Sequence, residues 1–328
     1  MKPKVYIDGK DGTTGLQIYD RLAARDDIGL LLIDEAKRKD PGERKRLMAE
    51  ADIVFLCLPD AAAIEAVALA EGTKARIIDA STAHRTAPGW VYGFPELLAG
   101  QRERVRHAKR VANPGCHATG FLSTAAPLVA MGVLPPDYPV ACYSLTGYSG
   151  GGRKMIAEYE AADRAASLDA PNIYGLSLKH KHLPEMQKVA GLKVPPVFSP
   201  ILGDIYQGMA TSVLLHNRLL RGNPTAEDLC DMLSAYYEGQ KLVSVAPFGG
   251  TTPRLSANAL AGSDRLEITV CGHEEQTIVT ALFDNLGKGA SGAAVQNMNL
   301  MLGFEMTAGL ALETPPAGSP ASARSERT

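Results

Sequence analysis

The sequence predicts an α/β protein of two domains, the first built on a parallel sheet and the second an α+β domain on a mainly antiparallel one. Three observations carry the prediction. Short apolar runs alternate with helical stretches through residues 1–115, the rhythm of βαβ units. Beyond residue 116 the strand-like runs lengthen and alternate apolar with polar, as antiparallel strands with one covered face do. The 328 residues are enough for two domains of roughly 100–200 residues each.

In order, strands are expected at 5–7, 29–33, 53–58, 76–79 and 110–112, with helices at 13–24, 43–50 and 61–70. In the first helix Leu16, Ile18, Leu22 and Ala23 supply the apolar face. At Asn113-Pro114-Gly115-Cys116 the rhythm changes, and a helix over 118–131 runs to Gly132 and Pro135-Pro136, residues that stop helices. Longer strands follow at 140–145, 212–215, 241–245, 266–270 and 277–283. The expected division is therefore 1–115, then 116–289, with a C-terminal segment 290–312 packing its helix back on the first domain. Residues 313–328, rich in Pro, Ser, Ala and Arg, read as a disordered tail.

Composition narrows the function. A net charge of −2 gives no global pull toward nucleic acid or an anionic membrane, so neither is expected as a partner. No apolar run approaches the roughly 20 residues that span a bilayer. Met1-Lys2-Pro3-Lys4 leads directly into the first strand, so no signal peptide is expected. The five cysteines are odd in number, scattered and without a C-x-x-C pair, which points away from a disulfide framework or a zinc site. A reducing cytoplasm is the expected setting.

Between the first strand and first helix lies Gly9-Lys10-Asp11-Gly12-Thr13-Thr14-Gly15, a G-x-x-G-x-x-G variant of the dinucleotide fingerprint. Residues without Cβ let the backbone turn tightly and meet a pyrophosphate, and the helix N-terminus offers free N–H groups and a positive dipole end. Gly9, Gly12 and Gly15, with the hydroxyls of Thr13 and Thr14, are thus candidate cofactor ligands in a Rossmann-type domain. After the second strand, Asp34 stands where an acid holds the ribose hydroxyls of NAD, whereas Lys37, Arg38 and Lys39 suit the 2′-phosphate of NADP. The residues alone leave both open.

Cys116 follows a strand and a Pro-Gly turn and opens a helix. A thiol placed there feels the positive end of the dipole, which favours the thiolate and marks a nucleophile. Cys57, Cys142, Cys230 and Cys271 read instead as buried structural thiols. The proton-handling partner is sought in Lys179-His180-Lys181-His182-Leu183-Pro184-Glu185, where the spacing puts both imidazoles on one face of an extended segment. With no third ligand evident, no metal is expected.

Together these motifs resemble the N-acetyl-gamma-glutamyl-phosphate reductase family, within the glyceraldehyde-3-phosphate and aspartate-semialdehyde dehydrogenase superfamily. The resemblance covers nearly the whole chain. It rests on residues 113–119, on Thr146-Gly147-Tyr148-Ser149-Gly150-Gly151-Gly152-Arg153, on residues 179–185, and on Asp284-Asn285-Leu286-Gly287-Lys288-Gly289-Ala290 with Gln296-Asn297. The short length and compact glycine loop are similar to the family's second, shorter type. It implies Cys116 as nucleophile and His180 or His182 as acid/base, with His180 preferred. It places Asn113, Ser149, Gly150 and Arg153 by the substrate, and Ser81 and Arg85 at the cleft, Ser81 toward the cofactor and Arg85 toward the substrate. Asn297 falls in the stretch that approaches the nicotinamide. The implied activity is NADPH-dependent reductive dephosphorylation of N-acetyl-gamma-glutamyl phosphate through a thioester, in arginine biosynthesis, by a homo-oligomer (dimer or tetramer). NADP is favoured over NAD. An aspartate-semialdehyde-type dehydrogenase is the alternative.

Overall fold

The computed structural model describes residues 2–10, 12–250 and 253–314. The chain forms two compact units. One comprises Met1–Pro95, Gly100–Pro114 and Ala290–Leu310; the other comprises Glu96–Ala99, Gly115–Gly289 and the residues from Ala311. The expected tail falls almost wholly on 315–328, outside the described residues, as do Asp11 and the Thr13 side chain.

In the first unit, β1 (Lys4–Asp8), α1 (Thr13–Ala23), β2 (Gly29–Leu31), α2 (Pro41–Glu50), β3 (Ile53–Leu56) and α3 (Asp60–Leu69) alternate as expected. They continue into β4 (Arg76–Asp79), β5 (Val91–Tyr92), α4 (Gln101–His107) and β6 (Arg110–Ala112). The strands form one parallel sheet in the order β2-β1-β3-β4-β6-β5. Both faces are covered. Val5, Ile7 and Phe55 pack against Ile18 and Leu22 of α1 and Val105 of α4. Tyr6 and Val54 point the other way, against Leu47 and Met48 of α2 and Ala66 of α3. That is why β3 is buried along its whole length and reads as a continuous apolar run.

The second unit begins with α5 (Cys116–Ala130), β7 (Ala141–Gly147), α6 (Gly152–Tyr159), β8 (Asn172–Ile173) and α7 (Leu183–Ala190). It continues with β9 (Val197–Gly203), β10 (Met209–His216), α8 (Ala226–Tyr236), β11 (Val243–Val245), β12 (Leu266–Gly272) and β13 (Gln276–Phe283). Its sheet runs β11-β12-β13-β10-β7-β9-β8. It is mixed rather than purely antiparallel: β11 with β12 and β7 with β9 are parallel pairs. A π-helical turn, Gly287–Ser291, precedes the last helix, α9 (Gly292–Leu302), whose Val295 and Met298 join the core of the first unit.

Seven elements among the described residues escaped the sequence reading: β5, α4, α6, β8, α7, β9 and α8. Strand β9 carries Pro200 at its middle, a residue that argues against a strand because it cannot donate to the ladder. Helix α8 was legible from its capping box, with Thr225 and Asp228 bonding each other's backbone N–H. Helix α5 starts at Cys116 itself, where the Pro-Gly turn predicts an opening and ahead of the apolar run from 118, with Gly115 as an extended N-cap.

Candidate active site

In the first unit the glycine loop closes tightly on the strand beside it. Gly9 has φ +86°, and a Cβ there would lie 2.9 Å from the Leu58 side chain and run into the Cys57 carbonyl. Gly12 is the N-cap of α1, and Gly15 is buried against the loop backbone. Beside the loop lies a cavity of about 440 Å³ lined by Gly9, Lys10, Leu32, Arg38, Lys39 and Arg44, among others. Arg44 is buried and holds Asp8 with two hydrogen bonds to Oδ2, of 2.8 and 3.2 Å. Arg38 pairs with Glu35 at 2.6 Å on the exposed rim. Asp34 turns its carboxylate to the Ala36 N–H, 3.0 Å away, capping the 3₁₀ turn Glu35–Lys37. Neither Asp34 nor Lys37 is among the cavity's lining residues, whereas Arg38 and Lys39 are.

The buried Asp79 organises the segment after β4. Its carboxylate accepts from the Ser81 N–H and hydroxyl and lies 2.6 Å from Nδ1 of His84, whose ring stacks on Trp90. Arg85 donates to the Asn113 and Ala80 carbonyls, so its guanidinium braces the backbone just before the Asn-Pro-Gly turn. Asn113 donates to the Ala290 carbonyl and accepts from Nδ2 of Asn297, which also donates to the Gly93 carbonyl. Those donations fix the Asn297 amide, leaving Oδ1 as a buried acceptor with no hydrogen-bond partner among the described residues. An orphaned acceptor suits an amide donor, such as a nicotinamide carboxamide.

In the second unit Cys116 is half-buried at the first position of α5. The turn before it is held by Glu185, a buried carboxylate that accepts from the Gly115 N–H at 3.2 Å. Gly289 keeps space beside the thiol, since a Cβ there would sit 3.1 Å from that of Cys116. Helix α7 begins immediately after the His-Lys-His segment. That juxtaposition lets Glu185 in the first turn of α7 reach the cysteine turn while both imidazoles remain nearby. The His180 and His182 rings meet edge to face at 4.7 Å, and His117 completes the cluster at 5.3 Å from His180 and 5.7 Å from His182. The His182 N–H donates to Nδ1 of His180, which places the proton of the neutral His180 ring on Nε2. His180 is half-buried; His182 is buried. His117 is buried, its ring bonded at both nitrogens, and burial pushes its pKa down to about 3.

The loop after β7 plays a quieter part. Ser149 is buried and accepts from Nδ2 of Asn285, which in turn accepts from the Gly208 N–H. Gly150 lies against the same amide, and Arg153 is exposed at the start of α6. The sequence reading did not single out Glu185, Tyr174, Ser144 or Gly289. Glu185 and Gly289 were visible within the 179–185 and 284–290 motifs, but Tyr174 and Ser144 are brought together only through the fold.

Comparison with known proteins sharpens this picture. Semialdehyde dehydrogenase domains match on both sides of the cysteine: the NAD binding domain over residues 4–107 and the dimerisation domain over 116–285. N-acetyl-gamma-glutamyl-phosphate reductase 2 of Nostoc sp. is 47% identical over 322 residues, 94% of this chain and 99% of its own. The N-acetyl-gamma-glutamyl-phosphate reductase of Brucella ovis is 50% identical over 309 residues, 92% and 100% of the two chains. This chain belongs to the N-acetyl-gamma-glutamyl-phosphate reductase family. Aspartate semialdehyde dehydrogenase II of Vibrio cholerae shares its fold, with a TM-score of 0.70 at 17% identity over 92% of this chain and 99% of the other. The glycine loop and its cavity lie within the NAD binding domain that this reductase family shares with the wider superfamily, so the cofactor is a nicotinamide dinucleotide. Among the described residues, no helix is long and apolar enough to cross a membrane.

Proposed function

We infer that the protein is a reductase that uses NADPH to convert N-acetyl-gamma-glutamyl phosphate to N-acetylglutamate semialdehyde and phosphate, in cytoplasmic arginine biosynthesis. The observation that carries this is Cys116 at the head of α5, its turn tied to Glu185 and flanked by paired histidines. The Cys116 sulfur, as thiolate, attacks the acyl carbon; the carbon–oxygen bond to phosphate breaks and phosphate leaves with its electron pair. A thioester remains on the enzyme. The bound dinucleotide supplies a hydride to that carbon. His180, the less buried imidazole of the pair, donates a hydrogen bond from Nε2–H to the resulting oxyanion; the carbon–sulfur bond then breaks with its electron pair returning to Cys116, and the aldehyde departs.

The cavity wall supports NADP over NAD. Arg38 and Lys39 line it, while the Asp34 carboxylate is spent capping its own turn. The Arg38–Glu35 pair is exposed and worth little, so a 2′-phosphate displaces Glu35 at small cost. Homo-oligomerisation is supported by one cross-strand row on the outer sheet face, Val197, Ala141, Leu214 and Ile278, all exposed.

The test is phosphate-dependent reduction of NADP by purified protein with N-acetylglutamate semialdehyde, beside aspartate semialdehyde and a Cys116→Ala control. Turnover that requires phosphate, prefers the acetylated substrate and vanishes in Cys116→Ala is expected. Absence of turnover from folded protein, or preference for aspartate semialdehyde, overturns the substrate assignment.

A further inference from the structure

A chain of hydrogen bonds runs through the second unit behind Cys116. Thr211 Oγ1 meets Ser144 Oγ at 2.7 Å, Ser144 Oγ meets His117 Nδ1 at 2.8 Å, and His117 Nε2 meets the Tyr174 hydroxyl at 2.7 Å. Its members come from β10, β7, α5 and the segment just after β8, and His117 is the residue next to the nucleophile. The imidazole is neutral, so one of its nitrogens donates and the other accepts. Two proton orders satisfy that condition.

In the first order Tyr174 donates to His117, His117 to Ser144 and Ser144 to Thr211. The Thr211 proton, or that of Ser144 if Thr211 donates to it instead, then has no acceptor among the described residues, and both residues are 0% exposed. In the second order Thr211 donates to Ser144, Ser144 to Nδ1, and Nε2–H to the Tyr174 oxygen. Every buried donor is then used, and the Tyr174 proton turns away from the chain. Leaving a fully buried hydroxyl proton unbonded is the costlier arrangement, so the second order prevails. Tyr174 is half-buried, and its hydroxyl lies close enough to Cys116 to feel the charge of that thiolate.

We propose that Tyr174 is a catalytic residue of the cysteine site, whose hydroxyl donates a hydrogen bond to the acyl oxygen as Cys116 takes up the acyl group. Ser144 and His117 are positioning residues that set the direction of that donation. The carbon–sulfur bond forms, the carbonyl π pair moves onto oxygen beside the Tyr174 proton, and collapse returns the pair as the leaving group departs. Burial, and then the charge of a Cys116 thiolate, push the Tyr174 phenol up, so it stays protonated and able to donate. This role rests on Cys116 accepting acyl groups, the chemistry argued above, and not on which acyl phosphate is the substrate.

The test compares acylation with alkylation of Cys116 in the full-length protein. p-Nitrophenyl acetate transfers its acetyl group to the thiol and releases p-nitrophenolate, passing through an oxyanion; iodoacetamide alkylates the same thiol without one. Tyr174→Phe is expected to slow the acylation burst about 10²-fold, the typical effect of losing one oxyanion donor, with alkylation within about twofold of wild type. Ser144→Ala, which keeps Tyr174 but breaks the chain, is expected to slow acylation about tenfold with the same alkylation rate. Equal burst rates in wild type and Tyr174→Phe, or parallel losses of acylation and alkylation, overturn the proposal. If wild type is acylated as expected yet turns over no semialdehyde, the substrate assignment fails and the Tyr174 role stands. A wild-type chain that takes up no acetyl group overturns both.

Discussion

Asp34 and Arg38 carry the proposed preference for NADP through the geometry of one turn. Asp34 stands where an acid would meet ribose hydroxyls, yet its carboxylate caps the Glu35–Lys37 turn, and that turn delivers Arg38 and Lys39 to the cavity. Arg38→Ala is therefore expected to raise the KM for NADPH about tenfold, the loss of one charge-assisted contact, while leaving that for NADH within about twofold. Equal effects on both cofactors would show that Arg38 does not read the 2′-phosphate. The sequence offered Asp34 for NAD and Lys37, Arg38 and Lys39 for NADP and left both open, because a side chain's direction in a 3₁₀ turn depends on which backbone N–H captures the carboxylate. Cys116 is the opposite case. Its place after a Pro-Gly turn at a helix start was visible in the sequence, since strand, turn and helix signals are all local.

Helix α5 carries the cysteine at its head and a proline in its body. Pro127 has no N–H, which frees the carbonyl of Ser123 four residues earlier. The Tyr237 hydroxyl, just past α8, fills that vacancy at 2.8 Å, deep in the core. Tyr237→Phe leaves a buried carbonyl unsatisfied and is expected to cost about 1–3 kcal/mol in urea unfolding, with Cys116 alkylation unchanged. A loss under about 0.5 kcal/mol would show that the carbonyl finds another donor. The sequence reading identified the long helix but not this repair, because Ser123 and Tyr237 are far apart in the chain. The same limit hid β9: Pro200 is a breaker by its local signal, and only the flanking strands β7 and β8 hold it in a sheet.

Across the molecule, a buried neutral imidazole couples folding to acid. His117 binds a proton near pH 6.5 when unfolded but only near about pH 3 when folded. Between those values the unfolded chain holds more protons, so the stability owed to a neutral His117 is present above pH 6.5 and lost as pH falls toward 3. Lowering the pH from 7 to 5 is expected to remove about 2 kcal/mol through this one group. Urea unfolding of wild type and His117→Gln at both values measures it. The variant should lose that much less stability on acidification, and equal losses would assign the acid sensitivity to other groups.

What the sequence determined by itself is the set of features made by near neighbours. These are the alternating strands and helices of the first unit, the glycine loop at the first strand–helix turn, the change of rhythm near residue 115, and the cysteine at a helix start. Each follows from periodicity, backbone freedom or a missing N–H within a few residues of chain. Only the tertiary structure decided which polar groups meet. Glu185 holds the Gly115 N–H across 70 residues, and Tyr174 reaches His117 across 57. Those contacts come from burial: once the helices and sheet close over them, each donor must find an acceptor wherever the fold has placed one, and sequence separation no longer limits the choice.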